Sequence, residues 1–218
     1  MEKIKFKGKG ISMHGLVKRI LYYHGIANPE NLEQGMSWYN RAHEFCKELG
    51  EELNLPLFHV AGVVAALSPL VEWSVNKQNA RDFLQGTRVS VHTKSQIAKA
   101  HACLHTEYPE EIFNLLTIKG TKTSWFFWNI LYPDTASGVT IDRHAIGSCV
   151  FSPSNAAVIP DSYSHITINQ YNFFMRAYMR AAEIRGILPH QMQAIVWEVY
   201  KSIRSKTNDV LPETETPF

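Results

Sequence analysis

The sequence predicts an all-α fold on three observations. Apolar residues recur at helical spacing along most of the 218 residues. Prolines and glycines divide the chain into segments of helical length. No two alternating runs of apolar and polar residues flank a tight turn, so no β-hairpin is expected. A composition that is 45% hydrophobic and 19% charged is enough to bury one sizeable core, or two small lobes that share a cleft.

About ten helices follow one another along the chain. Their predicted ranges are 14–24, 31–53, 56–67, 72–84, 95–107, 109–116, 122–131, 142–150, 169–185 and 189–203. Gly25, Pro69 and Gly86 end the first, third and fourth helices. Asp142 takes the N-cap position of its helix, and Pro189 takes the first turn of the last helix.

Two segments are predicted without regular structure. Residues 151–166 form one long loop that contains two prolines, and residues 206–218 form a loose carboxy-terminal tail. We therefore expect a single domain over residues 1–205, made of two interleaved helical lobes.

The charge and cysteine content restrict the function classes. A net charge of +2 and a pI of about 8.4 permit a nucleic acid as partner without requiring one. Three widely separated cysteines argue against a disulfide framework and against an ordinary iron–sulfur cluster. We expect no metal or other cofactor. No signal peptide or membrane span is evident, so a cytoplasmic protein with no membrane partner is expected.

A lysine and a carboxylate begin two consecutive predicted helices. Lys122 lies at the start of an apolar helix, and Asp142 lies at the start of the next one. An amine and a carboxylate that meet at one site can attack or stabilise a sugar carbon that has lost its base. Outside such a motif, Lys122 is an ordinary first-turn lysine and Asp142 an ordinary helix cap, although a capping carboxylate can also face a cleft.

Two ordered motifs resemble those of one protein family. The first is GTKTS at 120–124 followed by IDRH at 141–144, and the second is LSPLVEWSVNK at 67–77. Together they are similar to the helix-hairpin-helix (HhH-GPD) DNA glycosylase superfamily, as a member without an iron–sulfur cluster. The resemblance covers roughly residues 58–150.

The resemblance implies a two-lobed helical fold that binds duplex DNA and flips one nucleotide into the cleft between the lobes. Lys122 would attack the anomeric carbon of the sugar, expel a damaged or modified base and leave a Schiff base that permits β-elimination. Asp142 would stabilise the developing positive charge or activate the nucleophile. The implied activity is that of a DNA glycosylase with associated AP-lyase activity.

The resemblance also implies a set of residues that contact DNA or a nucleotide. These are Ser68, Leu70, Trp73, Asn76, Lys77, Lys119, Gly120, Thr121, Thr123 and His144. Leu70 stands where the family has a glutamine that fills the gap left by the flipped base. Ile118 stands where the hairpin has its first glycine, so the phosphate-binding turn is altered.

Two other functions remain open from the sequence. The altered hairpin, the modest net charge and the aromatic richness also fit a protein of this fold that binds or hydrolyses a small free or modified nucleotide. A catalytically inactive DNA-binding module is the third possibility. A strong salt dependence of DNA binding would favour the glycosylase or the inactive module, and a tight, salt-insensitive nucleotide complex would favour the second function.

Overall fold

The fold is all-α, as predicted. The computed structural model of the chain describes residues 2–87, 89, 93–117, 121–135, 137–151 and 161–208. These residues form ten α-helices, a short 3-10 helix and one two-stranded hairpin. None of the helices in this part of the chain is long and apolar enough to cross a membrane.

The chain divides into two compact units. The terminal unit combines Met1–Trp38 with Ile141–Phe218, and the central unit is Tyr39–Thr140. The terminal unit is therefore assembled from both ends of the chain, and the central unit is one continuous segment.

The terminal unit contains the hairpin and the last three helices. Its elements are β1 Lys3–Phe6, β2 Lys9–Ser12, α1 Met13–Gly25, α8 Arg143–Val150, a 3-10 helix at Asp161–Ser164, α9 Ile168–Arg185 and α10 Pro189–Asn208, together with the first residues of α2 Pro29–Leu53. Helix α10 continues past the predicted start of the tail at residue 206, and residues 209–218 lie outside the described part of the chain.

The central unit contains the rest of α2 and five further helices. These are α3 Leu57–Leu67, α4 Trp73–Leu84, α5 Lys94–Cys103, α6 Pro109–Thr117 and α7 Thr121–Leu131. Helix α5 ends before the predicted residue 107. The backbone N–H groups of Glu107 and Tyr108 donate instead to the carboxylate of Glu111, in the first turn of the next helix.

Capping side chains fix the starts of several helices. Thr93 and Gln96 form a reciprocal capping box on α5, and Thr167 and Gln170 form another on α9. Gly186 ends α9 with φ of +67°, a backbone angle at which glycine carries no steric penalty.

The core of the central unit is built around α3. Every residue from 60 to 67 is buried, and α4, α5 and α7 all pack against this helix. An apolar helix covered on several sides is what the uninterrupted run of small and branched apolar residues predicts.

The amino-terminal hairpin contradicts the prediction that no β-hairpin is present. β1 and β2 pair antiparallel through a two-residue turn, in which Lys7 and Gly8 have φ of 48° and 79°. Phe6 is 2% exposed and contacts Phe174 and Tyr163 edge-to-face, each at 5.2 Å between ring centroids. The strands are short and carry few apolar residues, so packing against α9, rather than their own periodicity, stabilises them.

Candidate functional site

Lys122 occupies the second residue of α7, in the central unit. Its side chain is half-buried, and it has no hydrogen-bond or ion-pair partner among the described residues. Thr121 and Thr123 on either side are also half-buried. Lys119 and Gly120, and the altered hairpin position Ile118, lie outside the described residues, so their predicted contacts stay predictions.

An aromatic cluster fixes α7. Phe127 is fully buried, and Trp125 and Trp128 contact Phe113 edge-to-face at 5.2 and 5.3 Å. A Cβ added at Gly138 would lie 2.0 Å from the Trp125 ring. The indole therefore packs closely against the backbone at Gly138, and this contact and the aromatic contacts of Phe113 hold the helix that carries Lys122 in place.

Asp142 is the N-cap of α8, in the terminal unit, as the sequence predicts. Its Oδ1 accepts a hydrogen bond from the backbone N–H of Ala145 at 2.7 Å. A cap of this kind needs only one carboxylate oxygen, so Oδ2 is available for a second role. The side chain is half-buried, which leaves it accessible.

Two tyrosines of α9 hold the turn that Asp142 caps. The backbone N–H of Ile141 donates to the hydroxyl of Tyr171 at 3.0 Å, and the hydroxyl of Tyr178 donates to the carbonyl of Ala145 at 2.9 Å. Burial raises the pKa of Tyr178 well above its usual value, so the hydroxyl keeps the proton that it donates. These roles cannot be read from the sequence, because tyrosines at helical spacing are typical of a core.

His144 is half-buried on α8, and its ring lies 5.9 Å from the ring of Tyr200. Tyr200 in turn lies 6.3 Å from Tyr23, which is fully buried. The Tyr23 hydroxyl has no hydrogen-bond partner in the described part of the chain, and burial raises its pKa. This cluster stabilises one side of α8 and presents His144 near the helix start.

Ser68 and Asn76 have structural partners within the central unit. The hydroxyl of Ser68 donates to the carbonyl of Ala65 at 2.9 Å, at the end of α3. Asn76 is 1% exposed and donates to the carbonyl of Val64 at 3.1 Å. The burial of Asn76 gives its side chain no path to a ligand in this conformation. Its observed role is to hold α4 against α3.

The turn between α3 and α4 presents an exposed leucine. Leu70 is 97% exposed and has φ of +67°. The side chain of Gln96 donates to the carbonyl of Pro69 at 3.1 Å, which ties the turn to α5. A large apolar side chain that is both fully exposed and held at a strained backbone angle is characteristic of functional sites.

Trp73 and Lys77 lie one helical turn apart at the start of α4. The ammonium group of Lys77 lies 5.8 Å from the Trp73 ring centroid and 5.7 Å from that of Phe45. The two rings contact each other edge-to-face at 5.9 Å. These half-buried groups offer an aromatic surface and a positive charge together, which suits a base and a phosphate.

The two units share the predicted site residues unequally. Leu70, Trp73 and Lys77 belong to the central unit with Lys122. Trp73 and Lys77 lie on α4 and Lys122 lies on α7, and both helices pack against α3. Asp142 and His144 belong to the terminal unit. No group of three His, Cys, Asp or Glu side chains is arranged to hold a metal ion within the described ranges.

One family model matches nearly the whole chain. It is described as a family of unknown function, DUF7178, and it matches residues 2–207. The chain belongs to the DUF7178 family. The matched residues run from the hairpin through α10, so the family unit contains both Lys122 and Asp142. No curated protein and no solved structure matches this DUF7178 chain.

Proposed function

We propose that the protein is a DNA base-excision glycosylase with associated AP-lyase activity. It would flip a damaged or modified base out of duplex DNA and remove it, with Lys122 as nucleophile and Asp142 as the carboxylate partner. The observation that carries the proposal is the local placement of these two groups. Each lies at the start of a helix, each is half-buried, and Lys122 has no partner in the described part of the chain that would neutralise it.

The chemistry requires few groups. The deprotonated Nζ of Lys122 attacks C1′ of the nucleotide, a C–N bond to the enzyme forms, and the glycosidic bond breaks. The base leaves with the bonding electrons and takes up a proton. Opening of the sugar ring gives an iminium, and loss of a C2′ proton then expels the 3′ phosphate. The negative charge of the Asp142 carboxylate stabilises the positive charge that develops on the sugar.

Leu70, Trp73 and Lys77 of the central unit support a duplex substrate. A flipped base leaves a gap in the stack, and apolar side chains commonly wedge into such gaps. Leu70 is exposed in a turn that is tied to α5, so it can serve as such a wedge. On the following helix, Trp73 supplies a stacking surface and Lys77 a cation. These features support the proposal independently of Lys122.

Borohydride trapping on duplex DNA that contains an abasic site tests the proposal. Wild-type protein is expected to form a covalent adduct, and Lys122→Ala and Lys122→Arg are expected to form none. The arginine variant keeps the positive charge but has no amine that can form a Schiff base, so it separates binding from chemistry. Lys47→Ala removes an exposed lysine paired with Glu44 and serves as the control, with trapping unchanged.

An adduct that persists in both Lys122 variants would assign the chemistry to another amine. A wild-type protein that binds the duplex but is never trapped would reduce the proposal to a glycosylase that uses water, or to an inactive DNA-binding module. In the first of these, base release would still depend on Asp142.

One observation favours a second function, the binding or hydrolysis of a small nucleotide. The cation and aromatic surface of Lys77, Trp73 and Phe45 is compact enough to hold one base and one phosphate. Thermal-shift screening against free nucleotides tests it. A salt-insensitive stabilisation that disappears in Trp73→Ala, without duplex binding at low salt, would replace the glycosylase proposal.

A further inference from the structure

We propose that the amino-terminal β-hairpin binds the phosphate backbone of duplex DNA through its outward lysines. The inference rests on the proposed function for its choice of partner, but it involves none of the residues assigned to chemistry. It assigns a contact surface to a segment outside both sequence motifs.

The positive charge of the chain is concentrated in its first residues. Residues 1–29 contain six of the 22 Lys and Arg residues but only one of the 20 Asp and Glu residues. After Glu2, the next acidic residue is Glu30. Because the whole chain carries only +2, the remainder is net negative. The chain therefore contains a strongly basic segment although its total charge is modest. Such a segment is typical of a protein that binds a polyanion.

The hairpin exposes four of these lysines. Lys3, Lys5, Lys7 and Lys9 are all exposed. Lys3 and Lys5 alternate along β1 and so project from the same face, about 7 Å apart. Their cross-strand partners are Ser12 and Gly10, so no carboxylate faces them across the hairpin.

The one acidic residue among residues 1–29, Glu2, is already neutralised. The carboxylate of Glu2 forms ion pairs with Arg176 and Arg180 of α9. Each of these arginines keeps about half of its side chain exposed. The local charge therefore stays positive, and α9 extends the basic surface beyond the strands.

The hairpin is a fixed platform rather than a loose arm. Phe6 is buried against α9, the side chain of Gln170 donates to the carbonyl of Lys5 at 3.0 Å, and the N–H of Met13 donates to the carbonyl of Glu2 at 2.9 Å. Lysines that project from a fixed strand lose less freedom on binding than lysines of a disordered tail.

The turn residue gives a separate indication. Lys7 has φ of 48°, at a position where Asn, Asp or Gly is the usual residue. Its ammonium group lies 5.8 Å from the Phe6 ring and 5.9 Å from the Tyr163 ring. A cation at the tip of the hairpin thus occupies an unfavourable backbone angle, and two aromatic rings lie within 6 Å of its ammonium group.

Fluorescence anisotropy with a labelled duplex, measured from about 50 to about 200 mM salt, tests the proposal. The test variant is Lys3→Ala with Lys5→Ala. The matched control is Lys47→Ala with Lys201→Ala, which removes the same charge from exposed lysines that pair with Glu44 and Glu198. In the hairpin variant, the negative slope of log affinity against log salt is expected to become shallower by about 1.8, since each lost phosphate contact removes about 0.9 from its magnitude.

The hairpin variant is also expected to bind about tenfold more weakly or worse at the lowest salt, while the control pair and Lys3→Arg with Lys5→Arg keep the wild-type slope. Unchanged melting temperatures establish that each variant is folded. Equal slopes for the hairpin and control variants would overturn the hairpin contact and leave the glycosylase proposal standing. Wild-type protein that shows no duplex binding at low salt would overturn both.

Discussion

The hydroxyl of Tyr171 accepts a hydrogen bond from the backbone N–H of Ile141 at 3.0 Å. Ile141 immediately precedes Asp142 and is 3% exposed, so water cannot readily replace this acceptor. About two turns later on the same helix, Tyr178 donates to the carbonyl of Ala145. One helix therefore holds both ends of the turn in which Asp142 lies.

Removal of the Tyr171 hydroxyl is expected to destabilise the fold and misplace Asp142. Tyr171→Phe keeps the ring but leaves the buried N–H of Ile141 without this acceptor, at a cost of about 1–3 kcal/mol in the free energy of unfolding. Urea unfolding measures the change. Tyr22→Phe is the control, because its side chain is 52% exposed and its loss is expected to be nearly neutral. Equal effects of the two substitutions would show that the Tyr171 bond contributes nothing.

The two roles of Asp142 can be separated by two substitutions. Asparagine caps helices about as well as aspartate, so Asp142→Asn is expected to cost less than about 1 kcal/mol of stability. Asp142→Ala removes the cap and is expected to cost about 1 kcal/mol or more. Both are expected to slow base release by about a hundredfold or more, because both remove the charge. An Asn variant with wild-type turnover would make Asp142 a structural residue only.

The sequence predicted the helix starts that depend on local chemistry. Asp142 caps α8, and Pro189 begins α10, as the residue types require. Local rules also predicted the buried helix that becomes α3. Such features depend on residues within one turn of each other, so one sequence contains the information.

Features made by distant residues could not be predicted in the same way. The support that Tyr171 and Tyr178 give to α8 joins segments far apart in sequence, and each tyrosine alone resembles a core residue. The hairpin escapes prediction because its first strand offers only two apolar residues, Ile4 and Phe6, among lysines, and the burial of Phe6 depends on Phe174 of the distant helix α9. The joint action of Lys122 and Asp142 stays a prediction from the motifs.

Substitution of Gly35 is expected to disrupt the terminal unit. A Cβ at this position of α2 would lie 2.5 Å from the backbone N and Cα of Ile195, so the two helix backbones would have to separate. Gly35→Ala is expected to cost about 1–3 kcal/mol, despite the higher helix propensity of alanine. Gly25→Ala, at a site with nothing within 4 Å, is expected to be neutral or stabilising. Thermal unfolding of the two variants distinguishes a tight helix contact from a general glycine effect.

Buried thiols are expected to make the fold sensitive to alkali. Burial raises the pKa of Cys103 and of Cys149 from 9.0 to about 12. An unfolded chain releases these protons near pH 9, whereas the folded chain retains them. Stability is therefore fully present below pH 9 and falls as the pH rises towards 12, by up to about 1.4 kcal/mol per pH unit for each thiol.

Urea unfolding at about pH 8 and at about pH 10.5 measures this loss of stability. Cys103→Ala removes one titrating thiol and is expected to reduce the pH dependence, although it lowers stability at both values. An unchanged pH dependence in this variant would assign the alkaline loss to other groups, such as the buried hydroxyl of Tyr23, whose pKa is also raised by burial.

Leu70 offers a test in which stability and function move in opposite directions. Its side chain is 97% exposed at φ of +67°, so it adds almost no packing while its backbone angle costs about 1–2 kcal/mol. Leu70→Gly and Leu70→Asn are both expected to raise the melting temperature slightly, since both residues tolerate this angle. Both are expected to weaken binding to a duplex with an abasic site, because neither supplies an apolar wedge. Asparagine does not add the backbone flexibility that glycine adds. A loss of affinity shared by both variants therefore reflects the missing leucine side chain. Variants that are more stable and bind the abasic duplex as wild type does would mean that Leu70 is not the wedge.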